Sequence, residues 1–144
     1  MDTPTLVGTI FQEKYEVLSV AGSGGMGIVF HAKQLDLNRD VAIKLLHANL
    51  IHDPEIRARF EREAHALSNL NHKNIGRFYS YGLYQDLLPF IIMEYVEGSS
   101  LRGCLNQTDK LPWQRATAII RQVADAMAYA HELGVIHRLS LIHI

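Results

Sequence analysis

The stretch that decides the fold runs from residue 22 to residue 44 and reads GSGGMGIVFHAKQLDLNRDVAIK. The glycines at positions 22, 24 and 27 predict a loop whose backbone can approach a phosphate chain, because side chains would block that approach. Residues 28–32 and 41–46 are rich in apolar and β-branched side chains, which favours strands. Residues 15–20, before the loop, have the same character, so the sequence predicts a hairpin followed by a third strand.

The glycine spacing alone leaves other interpretations open. The same spacing marks dinucleotide-binding folds, in which the third glycine begins a helix. Here it begins residues 28–32, which have strand chemistry, so a dinucleotide-binding enzyme is disfavoured. A flexible hairpin turn without a ligand remains possible on this motif alone.

Lys44 and Glu63 form a second candidate feature. Strand alternation places Ala42 and Lys44 on one face, where the lysine could reach phosphates or simply extend to water. Asp53 and Pro54 predict the start of a helix, and Glu63 lies beside its apolar stripe. A carboxylate there is costly unless it is paired, so Lys44 is a candidate partner, although a half-exposed surface glutamate fits the spacing equally well.

The rest of the chain changes from strands to helices. Residues 75–84 and 90–96 read as two further strands, and residues 101–107 as a short helix. Residues 112–133 predict a long helix with one apolar stripe, ended by Gly134.

Composition excludes several classes of function. Of 144 residues, 48% are hydrophobic and 20% charged, as in globular proteins, and the net charge of -1 favours neither nucleic acid nor anionic lipid as a partner. The single cysteine fits a reducing compartment, and no apolar stretch approaches the ~20 residues of a membrane-spanning helix. We therefore expect a cytoplasmic chain without a membrane segment, leaving open an anchor elsewhere in a longer parent. The histidines show no metal-binding spacing, so no metal ligand is expected.

These pieces together resemble bacterial-type serine/threonine protein kinases over roughly residues 15–138. The glycine loop, Val29 and the VAIK motif at 41–44 are followed by EREA at 61–64, LNHKNI at 70–75 and IMEYVEG at 92–98. The resemblance implies an α+β fold, a protein-kinase-like N-lobe with a five-stranded antiparallel sheet plus helix C and a truncated helical C-lobe. It divides the chain into a lead-in (1–14), the N-lobe and hinge (15–96) and the start of the C-lobe (97–138).

The resemblance also implies roles for individual residues, with ATP as the cofactor. Lys44 would hold the α- and β-phosphates of ATP and pair with Glu63, and Val29 and Ala42 would line the adenine pocket. Met93 would be the gatekeeper. The backbone of Glu94 and Val96 would hydrogen-bond adenine. The glycine loop and the hinge would supply the remaining contacts to ATP: Ala21, Gly22, Ser23, Gly24, Gly25, Met26, Gly27, Glu94, Tyr95 and Val96. Ala21 departs from the larger aliphatic residue that is usual in the family.

The implied activity is transfer of the ATP γ-phosphoryl group to protein serine or threonine hydroxyls, with Mg²⁺ expected in the full-length parent. Residues 135–138 resemble the start of the catalytic loop, but Leu139 stands where the family has the Asp that accepts the hydroxyl proton. The 144 residues contain no Asp-Phe-Gly motif, so no Mg²⁺ ligand can be named. We expect the chain as printed to be an inactive transferase fragment.

Two further expectations concern the end of the chain. Residues 139–144 read LSLIHI, which one frame of a common transposon-derived sequencing adapter encodes, so we expect a non-native tail. The alternative is a non-catalytic, pseudokinase-like nucleotide-binding or scaffold module that retains Lys44 and Glu63 without turnover.

Overall fold

A computed structural model describes residues 6–108 and 110–135. These residues fall into two compact units. The first contains the described residues up to Leu70 together with Gly76–Tyr95, and the second contains Asn71–Ile75 and the described residues from Val96 onward. The resemblance to the catalytic loop beyond Val135 and the proposed tail at 139–144 lie outside the described residues.

The first unit is built on one antiparallel sheet. Its strands, in the spatial order β1-β2-β3-β4-β6-β5, are β1 (Ile10–Phe11), β2 (Tyr15–Ser23), β3 (Gly27–Gln34), β4 (Arg39–Leu46), β5 (Phe78–Tyr84) and β6 (Leu88–Glu94). The five predicted strands are present, and the two-residue β1 is a sixth, paired with Tyr15 and Glu16. A strand this short has no periodicity, so the sequence could not have indicated it.

The glycine loop is shorter than the sequence indicated. Gly22 and Ser23 still pair with β3, so only residues 24–26 form the turn. The pairing of β2 with β3 shifts register at Leu18 and again at Ala21. Such irregularities bend a strand and increase its twist, which here affects the half of β2 that leads into the turn.

The helix of the first unit, α1 (Pro54–Ser68), begins where the sequence predicted. Asp53 caps it, because one carboxylate oxygen accepts the backbone N–H groups of Glu55 and Ile56 at 3.0 and 3.2 Å. A 3₁₀ turn (Ala48–Leu50) connects β4 to this cap.

The apolar face of α1 packs on the sheet through one cluster of buried side chains. Phe60 and Ala64, one helical turn apart, contact the buried side chains of Leu46 and Ile91. Ile91 pairs with Lys44 across β4 and β6, so α1 covers the face of the sheet that carries Lys44. The other face holds a larger core that includes Phe11, Phe30, Val41, Ile43 and Leu45.

The second unit contains α2 (Leu101–Thr108) and α3 (Trp113–Glu132). The segment at 71–75 packs on α3: the ring of His72 stacks on Tyr129 at 5.2 Å between centroids, and its Nε2 lies 3.3 Å from an Asp125 carboxylate oxygen. Within the described ranges, no helix is both long enough and apolar enough to cross a bilayer.

Candidate nucleotide-binding site

Lys44 and Glu63 come together in the first unit. Lys44 Nζ lies 2.6 Å from Glu63 Oε1, and the two side chains are 18% and 34% exposed. Both partners are charged and close, so this is a charge-assisted hydrogen bond. The ammonium also lies 5.7 Å from the centre of the Phe60 ring, within range of a cation–π contact.

The sequence of α1 explains this contact. Phe60 and Ala64 are buried against the sheet, and Glu63 lies beside them at the margin of the same helical face. The helix therefore carries the carboxylate to the lysine, and the interpretation of Lys44 as a side chain that extends alone to water does not describe this structure.

The predicted apolar lining residues share the face of Lys44. Val29 on β3 is the direct cross-strand partner of Lys44 on β4, and Met93 on β6 is the partner of Ala42. Directly paired residues project to the same face of a sheet, so all four side chains lie on one face. Ala42 is only 6% exposed, and Met93 packs against the cluster that contains Phe60.

The glycines of the loop differ in their surroundings. A Cβ at Gly27 would lie 2.3 Å from the carbonyl oxygen of Leu45 on β4, so the close approach of two strands requires glycine there. At Gly22, Gly24 and Gly25 an added Cβ would meet nothing within 4 Å. The protein itself does not require glycine at these three positions, and the open space beside their backbone is what an approaching phosphate chain needs.

One contact of this loop was not anticipated from the sequence. The Nε2 of His47, the residue after β4, lies 3.0 Å from the carbonyl oxygen of Gly24, and the backbone N–H of His47 donates to the carbonyl of Met26 at 3.0 Å. These contacts hold the tip of the loop to the end of β4. A lone histidine after a strand gives no sequence signal of such a bond.

The predicted hinge residues lie at the end of β6. Glu94 accepts the backbone N–H of Arg77 on its carboxylate at 3.0 Å and donates its own backbone N–H to the Arg77 carbonyl at 2.7 Å. The ring of Tyr95 stacks on His31. Val96 is 71% exposed and belongs to the second unit, and Ala21 is exposed at the second irregularity of β2.

Mg²⁺ cannot be assigned to side chains of this structure. Across residues 6–108 and 110–135, no group of three or more His, Cys, Asp or Glu side chains is placed to hold a metal ion.

A cavity of about 470 Å³ in the second unit does not coincide with the candidate site. Its lining contains none of the predicted site residues and combines two cations with one carboxylate: Lys73, Asn74, Arg121, Gln122 and Asp125. Because Asp125 already faces His72, and no chemistry converges on this cavity, we define the candidate site by the Lys44–Glu63 pair and the open glycine loop.

Comparison with known proteins identifies the family. Residues 15–138 match the family described as the protein kinase domain. The chain is 43% identical over 137 residues to the serine/threonine-protein kinase pkn3 of Myxococcus xanthus, covering 95% of this chain and 25% of that protein. It is 38% identical over 133 residues to PrkC of Bacillus subtilis, covering 92% of this chain and 20% of that protein.

Solved structures agree with the sequence comparison. The crystal structure of the Mycobacterium tuberculosis PknI kinase domain superposes with a TM-score of 0.77 at 28% identity, covering 96% of this chain and 56% of that one. The fold is therefore protein-kinase-like, and the chain spans a quarter or less of these two curated relatives and about half of the solved domain. With its match over residues 15–138, the chain belongs to the protein kinase domain family and covers the N-terminal part of that domain.

Proposed function

We propose that this chain is the ATP-binding part of a serine/threonine protein kinase that transfers the γ-phosphoryl group of ATP to protein hydroxyls. The observation that carries the proposal is the Lys44–Glu63 ion pair, 2.6 Å long, on the strand face next to the glycine loop. In phosphoryl transfer the protein contributes mainly positioning and neutralisation of charge, and a lysine fixed by a carboxylate serves both purposes.

Each part of the site has a role in this proposal. The loop of residues 21–27 covers the phosphates of ATP with its backbone, and Lys44, oriented by Glu63, neutralises the α- and β-phosphates. Val29 and Ala42 contact the adenine. Met93 is the gatekeeper, and the backbone of Glu94 and Val96 hydrogen-bonds the base. ATP itself supplies the transferable phosphoryl group.

The proposal extends to organisation and location. Residues 1–14 form a lead-in, 15–96 the N-lobe and hinge, and 97–138 the start of the C-lobe, while 139–144 are a non-native tail. ATP and, for a longer parent, protein substrates are the partners. The cytoplasm, where ATP and a reducing environment occur together, is the proposed location.

The chain as printed is proposed to bind ATP without transferring phosphate, since Leu139 stands where a carboxylate would accept the substrate proton. That substitution is also the observation that favours the second candidate, a pseudokinase-like nucleotide-binding or scaffold module. The coding sequence beyond Arg138 distinguishes the two, because an Asp codon directly after Arg138 in the native gene indicates an enzyme, whereas a native Leu codon indicates a pseudokinase.

Nucleotide binding tests the central claim. Titration of the purified chain with the fluorescent analogue MANT-ATP should saturate, and Lys44→Met should weaken binding about 10- to 100-fold, because a hydrogen bond to a charged group contributes about 1.5–3 kcal/mol. Lys14→Met is the matched control, because Lys14 pairs with Asp36 on the surface with 45% of its side chain exposed.

The proposal fails if the folded chain does not bind the analogue, or if Lys44→Met binds it as tightly as Lys14→Met does. Incubation with γ-labelled ATP and a generic protein substrate tests inactivity separately. Robust phosphorylation that disappears in Lys44→Met would contradict the proposed loss of turnover.

A further inference from the structure

A second side-chain cluster adjoins the candidate site. The ring of His31 on β3 stacks on Tyr95, with centroids 3.8 Å apart and planes inclined by 11°. The Nε2 of His31 lies 2.7 Å from Asp40 Oδ1, and Lys33 Nζ donates to Asp40 Oδ2 at 3.2 Å. The His31 side chain is 20% exposed, so the imidazole is largely enclosed by these neighbours.

This cluster lies on the same sheet face as the predicted adenine contacts. His31 is the cross-strand partner of Ala42 and is two residues from Val29, so strand alternation directs all three side chains to one face. Tyr95 follows Met93 by two residues, and Met93 is itself the partner of Ala42 on the other side. The stack therefore borders the position proposed for the base.

We propose that His31, oriented by Asp40, is a positioning residue that holds Tyr95 and through it restrains residues 94 and 95, next to the position proposed for adenine. The inference rests on the proposed nucleotide site. It adds a residue that neither the glycine loop nor the lysine pair includes.

Two physical arguments support this role. Tyr95 directly follows the last residue of β6, and the flat contact with His31 restrains its ring. A carboxylate can only accept, so the Nε2 that faces Asp40 must carry the proton, and that bond sets the plane of the imidazole. If this segment is already ordered before binding, it loses less conformational entropy when the nucleotide binds, and the affinity for the nucleotide is higher.

Amide hydrogen exchange without nucleotide tests the restraint directly. We expect His31→Ala to speed exchange at Glu94 and Tyr95 several-fold. His31→Phe, which keeps a flat ring but loses the bond to Asp40, should give exchange rates between those of the wild type and His31→Ala. The matched control is His52→Ala, at an exposed histidine just before the cap of α1, which should leave exchange at residues 94 and 95 unchanged.

MANT-ATP affinity gives the second readout. His31→Ala should weaken binding about three- to tenfold, as expected for the loss of one aromatic stack, and His31→Phe should restore only part of the affinity because its ring is not held by Asp40. In a Tyr95→Ala background, His31→Ala should cause no further loss, because the two residues act through one contact.

Three results would overturn the inference. The first is unchanged exchange at residues 94 and 95 in His31→Ala, and the second is additive losses of MANT-ATP affinity in the double variant. The third is wild-type exchange in His31→Gln together with exchange in His31→Phe as fast as in His31→Ala. Failure of the wild-type chain to bind MANT-ATP would instead refute the proposed function. The exchange measurement would still decide whether His31 restrains residues 94 and 95.

Discussion

Replacing Gly27 by alanine should destabilise the sheet by an amount that follows from the structure. The new Cβ would lie 2.3 Å from the carbonyl oxygen of Leu45 and 3.1 Å from its carbonyl carbon. To increase the distance between this Cβ and the Leu45 oxygen to 3.0 Å, β3 and β4 must separate by about 0.7 Å. The oxygen belongs to the backbone, so it cannot rotate away as a side chain can. Overpacking typically costs ~1–3 kcal/mol, and we expect the upper half of that range, about 2–3 kcal/mol.

Gly25→Ala is the matched control in the same loop. The added methyl group meets nothing within 4 Å, and the backbone there is not in the left-handed region. We expect unchanged stability or a gain of about 0.4–1 kcal/mol from the restricted unfolded chain. Its affinity for ATP should nevertheless fall, because the methyl group occupies the space proposed for the phosphates.

Urea unfolding followed by far-ultraviolet circular dichroism measures both variants. Trp113 is 73% exposed, so its fluorescence is a poor reporter of the sheet. Equal unfolding midpoints for Gly27→Ala and Gly25→Ala would refute the reasoning, because they would mean that β3 and β4 tolerate a side chain between them. Unaltered ATP binding in Gly25→Ala would contradict the assignment of the open space to phosphates.

Phe60→Ala should cost about 3–5 kcal/mol, since the ring is 0% exposed and fills the space between α1 and the sheet; a loss below 1 kcal/mol in urea unfolding would show that the contact is not a core contact. Asp53→Ala should cost about 1 kcal/mol through loss of the helix cap, and Asp53→Asn much less, as measured by the same unfolding curves. The hydrogen bond from His31, and then that from Lys33, lower the pKa of Asp40. The stabilisation from the Asp40 carboxylate is therefore present above about pH 4 and is lost as the pH falls through the pKa of Asp40 in the folded protein, which is lower than in the unfolded chain. Asp40→Asn should therefore reduce the dependence of the melting temperature on acid pH.

Local signals predicted the elements well where they were strong. Asp53 and Pro54 predicted the start of α1, and the apolar, β-branched composition of residues 41–46 predicted β4. The predicted loop began two residues too early and ended one residue too late, because Gly22, Ser23 and Gly27 belong to the paired strands although their composition indicates a turn. Whether such residues stay in a strand depends on their pairing with a neighbouring strand, and the sequence of one segment does not reveal that pairing.

The candidate site was predictable only in part. The spacing of residues in α1 did not distinguish a surface-exposed Glu63 from one that pairs with Lys44. The packing of Phe60 on the sheet brings the Glu63 carboxylate to Lys44. The contacts of His31 and His47 escaped sequence reasoning because their partners come from other strands or loops. The roles of these residues in binding a nucleotide stay predictions.

The irregular outer edge of β2 has a consequence for self-association. Strand β1 and its flank bond this edge only as far as Val17, and among the described residues β2 has no neighbouring strand except β1 and β3. Beyond that point Leu18 and Val20 expose apolar surface, which on a flat strand would template intermolecular β-pairing. The register shifts at Leu18 and Ala21 interrupt the regular spacing of backbone N–H and C=O groups along this edge, so a regular strand from another molecule cannot pair with all of them. The same distortion that bends the second half of β2 therefore disfavours amyloid-like stacking at this edge of the sheet.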